Sequence, residues 1–405
     1  MTGPDLPIPR PGRGAAERFV AAHLAHLTFD GHQGSATIVG GQAAADAALA
    51  SFDATSYAQR RNSVLPIESR GASGLSPYIR HGLLTLPQVW EHVADAPQRD
   101  REKFRDELLW QEYARHWYAD LGTMTAQGTM REQRPVDASD PVWDRQANCV
   151  DHSLAELERD GWLVNQTRMW LASHWSVREG GRWQDGEHFF FRHLIDGSRA
   201  ANRLGWQWTV GVGSSKTYGF SRWQVEKRAP RLCRTCSLAD ACPIEDWPPD
   251  PKLDERERPT PTPALHGPSA VVERGRPDAV WLTAESLGLG DPALRANPAL
   301  PVVFVFDEPL LAGLQLSAKR LVFLVETLAE LGTRRELILR LGDPVIELTG
   351  RALAVTHAPV PGFARRSGAV DAVEIHPWLW LAKPTGRRLS SFSAWRRSMA
   401  VIPLP

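Results

Sequence analysis

The stretch GWLVNQTRMWLASHWSVREGGRWQDGEHFFFRHLIDGSRAANRLGWQW, Gly161 to Trp208, carries tryptophans at 162, 170, 175, 183, 206 and 208, with Arg168, Asp196 and Asn202 among them. Twelve of the chain's 16 tryptophans fall between Trp90 and Trp247. An ordinary core has no need of so many indoles, whereas a protein that moves electrons or stacks flat heterocycles does. Apolar residues from His152 to Leu194 recur with the period of buried amphipathic helices. The same holds for VWEHV and RDELLWQEYARHWY between Leu86 and Asp120. Residues 11–60, with GGQAAADAALASF, are alanine-rich and poor in strand signals. An all-helical domain over 1–247 is expected.

The rest of the chain has a different grammar. Residues 248–268, PPDPKLDERERPTPTPALHGP, hold seven prolines and no periodicity, which predicts an exposed, semi-rigid linker. Beyond it VWL (280–282), VVFVF (302–306), LILRL (337–341) and LAV (353–355) are short buried-strand runs. Leu321, Leu324, Leu328 and Leu331 mark one face of a helix between them. Strands alternating with helices predict a parallel α/β sheet over 269–405. The fold class expected is therefore multi-domain, α followed by α/β.

Composition narrows the partners. A 405-residue chain with 42% hydrophobic and 23% charged residues is long enough for a sizeable core and ordinary for a globular protein. No apolar run approaches the roughly 18 residues of a membrane span, and the N-terminus has no signal-peptide pattern, so a cytoplasmic monomer is expected. Formal net charge is zero, so a nucleic-acid partner has to be met by a local patch. One such run is Lys216, Arg222, Lys227, Arg228, Arg231 and Arg234, set against Glu226 alone; a solvated basic face and phosphate contact weigh equally there. Cys233, Cys236 and Cys242, with Cys149 upstream, form a compact ligand set that suits zinc or an iron–sulfur cluster better than disulfides.

Together SGLSPYIRHGLL, FRDELLWQEYARHW, GWLVNQTRMW and HLIDGSRAANRLGWQW resemble, in order, the flavin-binding helical domain of the DNA photolyase/cryptochrome family. The segments VWLTAESLGLGDPAL, PVVFVFDEP and SAKRLVFLVETLAEL resemble the family's α/β antenna domain. In the family that domain comes first and here it comes last, so the resemblance implies a circular permutation. It also implies FAD, UV-damaged DNA as partner and a carbon–carbon lyase that splits cyclobutane pyrimidine dimers by light-driven electron transfer from reduced flavin. A cryptochrome-like photoreceptor, or a repair-inactive homologue that binds flavin and DNA, is the alternative.

The resemblance assigns residues one by one. Tyr57, Ser73, Leu75 and Ser76 match flavin phosphate-side contacts, in a glycine-containing turn whose backbone N–H groups suit a diphosphate. Arg168 and Asp196 match a pair beside the flavin ring, which as isolated residues would more often be a surface ion pair. Asn202 matches the amide facing flavin N5 and favours the photolyase branch, where plant-type cryptochromes tend to have an acid. Ser198 stands where many photolyases have aspartate, and Gln111 where arginine is common. Glu107, Trp110, Asn165, Met169 and Trp208 match the lesion pocket, with Glu107 and Asn165 also at the flavin side. Asn165 and Met169 replace the two histidines of animal-type (6-4) photolyases, which favours a cyclobutane dimer. Trp206 and Trp183 match the first two members of an electron relay, with Met130 near the third position and Trp143 and Trp175 as candidates for it. The cysteine order resembles a bacterial photolyase subgroup with a 4Fe–4S cluster, zinc being the alternative. TAESLGL stands where the family has an Arg-x-Asp-Leu-Arg stretch, which leaves a structural role for the α/β domain as open as an antenna chromophore.

Overall fold

The computed structural model describes residues 5–134, 143–260, 265–384, 389 and 391–402. Its helical part is built around a long helix, Gln98–Leu121, preceded by shorter ones that include Arg13–Phe19 near the chain start and Ser76–Arg80. In chain order these are α1 (Arg13–Phe19), α2 (Ser76–Arg80) and α3 (Gln98–Leu121). There follow α4 (Asn148–Asp160), α5 (Asn165–Ser173), α6 (Trp183–His193), α7 (Arg199–Val210) and α8 (Arg222–Arg228). No helix among the described residues is long and apolar enough to cross a membrane.

The four expected strands all form, as β4 (Ala279–Leu282), β5 (Val302–Asp307), β6 (Leu337–Gly342) and β7 (Leu353–Thr356). Two more flank them, β3 (Val272–Glu273) and β8 (Ala372–His376), giving a six-stranded sheet in the order β3-β8-β7-β4-β5-β6. Every neighbouring pair is parallel except β3 with β8. The leucine-faced helix is α9 (Ala318–Gly332), which lies buried along almost its whole length. The segment expected to be an exposed, semi-rigid linker contributes β2 (Leu253–Glu255), antiparallel to β1 (Arg131–Gln133). Proline-rich composition did not reveal it, because LDE is alternating and short and its partner lies more than a hundred residues upstream.

Each end of the chain is embedded in the core of the other half. Residues Ala16, Phe19, Val20, Leu24 and Leu27 pack with β4, β5 and α9 in one apolar cluster. Leu6 pairs with Leu339 on the edge of β6, covering backbone groups that would otherwise offer an open edge. At the other end Leu381, Ala382 and Trp395, the last on α10 (Phe392–Ser398), pack into the cluster around α3. Glu112 on α3 is wholly buried, and its Oε1 accepts from the backbone N–H groups of Leu381 at 2.7 Å and Ala382 at 2.9 Å.

Two further contacts fix how sheet and helices meet. Arg80 at the end of α2 grips Glu285, just after β4, through both oxygens at 2.6 and 2.8 Å. Arg320 on α9 reaches across to the carbonyls of Phe191 (2.7 Å) and Leu194, the unpaired C-terminal end of α6. Burial, with Arg80 nearby, pushes the Arg320 guanidinium down to about 9, well below the usual arginine range.

Glu112→Ala leaves two buried backbone donors without an acceptor and should destabilise the protein by about 2–4 kcal/mol in denaturant titrations. Limited proteolysis should then release the segment after residue 380 first. Wild-type stability in that variant would show that the carboxylate does not hold the chain's end.

Candidate functional site

One cavity gathers most of the expected residues. Its walls are the segment around Tyr57 and Arg61, the turn Ala72–Ser76, one face of α3, the start of α5, the loop Asp196–Ser198 and α7. Helix α3 contributes Phe104, Glu107, Leu108, Gln111 and Arg115, spaced three and four apart as one helical face requires. Its other face carries Trp110, Tyr113 and Trp117 toward a second cavity, which also includes Trp208. Trp110 lines both, at the ridge between them.

Tyr57, Ser73, Ser76, Glu107, Trp110, Asn165, Arg168, Met169, Asp196, Ser198, Asn202 and Trp206 all lie on the first cavity. Leu75 does not; its side chain is fully buried in the helical core. Trp208 lines the neighbouring cavity instead. Gly74 adopts φ +68° with open space around its α-carbon, so the turn can present backbone to a ligand at no steric cost. Gly205 on α7 likewise has nothing within 4 Å of where a Cβ would stand, which leaves room for a flat ring against the helix.

The polar wall is arranged from behind. Arg168 donates to Asp196 Oδ2 at 2.8 Å and to the carbonyl of Leu163 at 3.0 Å. The pair is single-toothed, and Asp196 Oδ1 is buried with no hydrogen-bond partner. An orphaned acceptor of that kind calls for a donor from a ligand. Asn202 spends its amide N–H groups on Glu187, donating to the carbonyl at 2.8 Å and to Oε1 at 2.9 Å. Only its amide oxygen is left for the cavity. Glu187 on α6 is itself buried and also takes Arg199, with Arg203 at 3.8 Å. Burial raises its carboxyl above the usual range, and Arg199 and Arg203 oppose that rise.

Sequence reading missed several members. Arg61 donates to Glu107 Oε1 at 2.9 Å and Lys103 lies 3.2 Å from it, so the carboxylate sits between two cations. Trp162 lines the cavity and donates from Nε1 to Ser76 Oγ at 2.9 Å. Ser198, in the place of the family's aspartate, caps α7 by accepting from the N–H of Ala200 at 3.2 Å. A pattern of SRAAN, with serine just before a helical run, carried that signal.

Indoles continue outward from the cavity wall. A Cβ on Gly186 would collide with Trp206 and lie 3.0 Å from Cδ1 of Trp175, so these two rings meet at that glycine. Trp175 in turn packs on Trp143 with centroids 4.8 Å apart. Both outer rings are half-buried. Trp183 is fully buried in the core, its Nε1 without a partner.

Cys149, Cys233, Cys236 and Cys242 line one small cavity together with Val225, Leu232 and Ile244. All four thiols are free. Burial, then Cys233 and Cys242, pushes the Cys149 thiol up to about 12. Among the described residues no three His, Cys, Asp or Glu side chains are close enough to clasp a metal ion.

Comparison with known proteins bears on the helical part of the chain. Residues 104–231 match the FAD binding domain of DNA photolyase. Similar curated proteins are the deoxyribodipyrimidine photo-lyases of Synechococcus sp. (30% identical over 210 residues, 47% of this chain and 42% of that one) and Thermus thermophilus (28% over 227 residues, 52% and 45%). The chain thus spans less than half the length of these relatives. Among solved structures, the class III photolyase of Agrobacterium tumefaciens has 21% identity and a TM-score of 0.40, covering 56% of this chain and 48% of that one. The Synechocystis sp. cryptochrome has 19% identity and a TM-score of 0.45, covering 53% and 50%. The helical part of the chain carries a photolyase-type FAD-binding domain, and these matches support its place in the photolyase/cryptochrome family.

Proposed function

We propose that this protein is a light-driven, FAD-dependent enzyme that splits cyclobutane pyrimidine dimers in DNA, in a chain whose two family domains are circularly permuted. The observation that carries this reading is one cavity with Arg168, Asp196 and Asn202 on its wall and Glu107, Trp110, Asn165 and Met169 around it. FAD held against Arg168, Asp196 and Asn202 would supply the photoexcited electron that opens the dimer's ring and would take it back afterwards. The rest is done by side chains. Asp196 Oδ1 accepts from a ring N–H, Arg168 holds Asp196 in place, and Asn202 presents its amide oxygen because Glu187 occupies its nitrogen. That oxygen is an acceptor for an N–H and gives no proton away.

Glu107, flanked by Arg61 and Lys103, offers its carboxylate as an acceptor for a thymine imide N–H. Trp110 and Trp208 stack on the extruded bases, a contact worth about 1–3 kcal/mol per base. Trp206, Trp175 and Trp143 make a continuous path of indoles from the cavity to half-buried rings, along which an external thiol can restore electrons. This route supports Trp175 and Trp143 as outer members of the relay.

The four cysteines, gathered around one small void, are the residues that would hold an iron–sulfur cluster, with zinc as the alternative. Such a centre would tie α4 to the segment after α8, since Cys149 and the other three come from those two places.

Anaerobic illumination of the reduced, flavin-loaded protein with a dimer-containing oligonucleotide should restore the thymines; bound flavin and bound DNA without repair would sink the enzyme reading in favour of a photoreceptor. Glu107→Ala should cut repair about tenfold, the worth of a hydrogen bond to a charged group, with flavin content unchanged. Parallel loss of flavin would contradict its place at the lesion. Trp175→Phe should slow thiol-dependent photoreduction of the flavin about tenfold, and an unchanged rate would remove it from the path. Protein purified without oxygen should contain iron and acid-labile sulfide that Cys149→Ala abolishes; zinc in their place would overturn the cluster.

A further inference from the structure

Beyond Trp208 the surface continues in rings that the repair reading leaves unused. Among the described residues three tryptophans are exposed: Trp208 (39%), Trp223 (60%) and Trp247 (54%), all between positions 208 and 247. Trp208 packs on Tyr218 with centroids 5.9 Å apart and planes at 35°. Tyr218 meets Trp247 edge-on at 6.2 Å. The three rings form a row that starts at the candidate lesion pocket and ends in solvent.

Each ring is held from behind. The Tyr218 hydroxyl accepts from Gln166 Nε2 at 3.0 Å and Gln224 Nε2 at 3.4 Å. A Cβ on Gly219 would collide with the Trp247 indole, so the absence of a side chain there is what seats it. Arg178 clamps the approach to Trp247 by donating to the carbonyls of Pro243 at 3.1 Å and Asp246 at 2.7 Å. A large apolar ring kept rigid while half exposed points to a binding role.

Charge beside the row has the sign a nucleic acid needs. Lys216 precedes Tyr218 by two residues, and Lys227 lies 4.8 Å over the Trp223 ring. Of the acids near the row, Glu226 and Glu245 are paired with Arg222, while Asp246 beside Trp247 is exposed. Net charge over the whole chain is zero, so this patch is local.

We propose that Tyr218 and Trp247, continuing outward from Trp208, form a stacking track for unpaired bases that flank the lesion on one DNA strand, with the basic run beside it meeting the phosphates. Paired bases in a duplex hide their faces in their own stack, whereas an unpaired strand offers them to any aromatic surface, whatever the sequence. The track therefore selects single-stranded or locally opened DNA. This rests on the repair reading for what sits at Trp208, but the stacking itself needs no lesion.

The test uses flavin-loaded protein and fluorescence anisotropy with a thymine-dimer oligonucleotide in three forms: single-stranded, single-stranded with abasic residues replacing the bases on one flank, and fully paired. The single strand should bind about tenfold tighter than the form abasic on the contacting flank, and tighter than the duplex. Trp247→Ala should lose about that same factor and become indifferent to the abasic flank, while Trp247→Phe retains most of the affinity. Near-UV circular dichroism of both variants checks that the fold persists. Wild-type indifference to abasic residues on either flank, equal binding of duplex, or an equal loss by Trp247→Ala on all three forms would overturn the track. Dependence on flanking bases without preference for the dimer over undamaged thymines would keep the track and sink the lesion reading.

Discussion

The carboxylate of Glu187 is the constraint from which the polar wall of the cavity follows. It lies buried between α6 and α7, and it accepts from Asn202 and Arg199 with Arg203 close by. A lone buried carboxylate would be costly, and burial does raise its affinity for a proton; the two arginines make the charged form tolerable. In return the two helices cannot rotate independently. Asn202 is then left with a single free group, its amide oxygen, and that group faces the cavity. The turn before α7 brings Ser198 to the helix cap and Asp196 to Arg168.

A second constraint is the exchange of chain ends. The first residues complete the sheet's apolar cluster and the last ones complete the helical cluster, so neither half closes its core from a contiguous run. Glu112 ties the C-terminal segment to α3, and α10 sets Phe392 against Trp110 with centroids 5.1 Å apart. Residues of the C-terminal segment thereby stand at the wall of the cavity that holds Trp208. The order of helical part before sheet part is thus accompanied by wrapping at both ends, and contacts such as Arg320 on the end of α6 fix how the parts meet.

Much of this was legible in one dimension. The strands β4 to β7 showed as short runs of branched and aromatic residues, since a parallel strand buried on both faces needs apolar side chains at nearly every position. β3 and β8 escaped because one has only two residues and the other, AVEIH, lies second from the sheet's edge with its middle residues only half-buried. Arg168, Asp196 and Asn202 were recognisable from their motifs, yet their protonation-relevant partners were not: Glu187 sits in the same stretch but nothing in its spacing says which amide it holds. Arg61 escaped as well, because its pairing with Glu107 spans a loop and a helix 46 positions apart.

The sequence by itself determined the element types, the tryptophan-rich character of the helical half and the identity of most cavity residues, because periodicity and local motifs are properties of neighbours along the chain. Only the tertiary structure decided that Leu75 turns into the core, that Trp208 opens onto a second cavity, and that Trp206 reaches Trp175 across Gly186. It also decided that the four cysteines share one void and that the chain's two ends trade cores. Those outcomes depend on which helix faces meet after close packing, and packing joins residues that no local pattern connects.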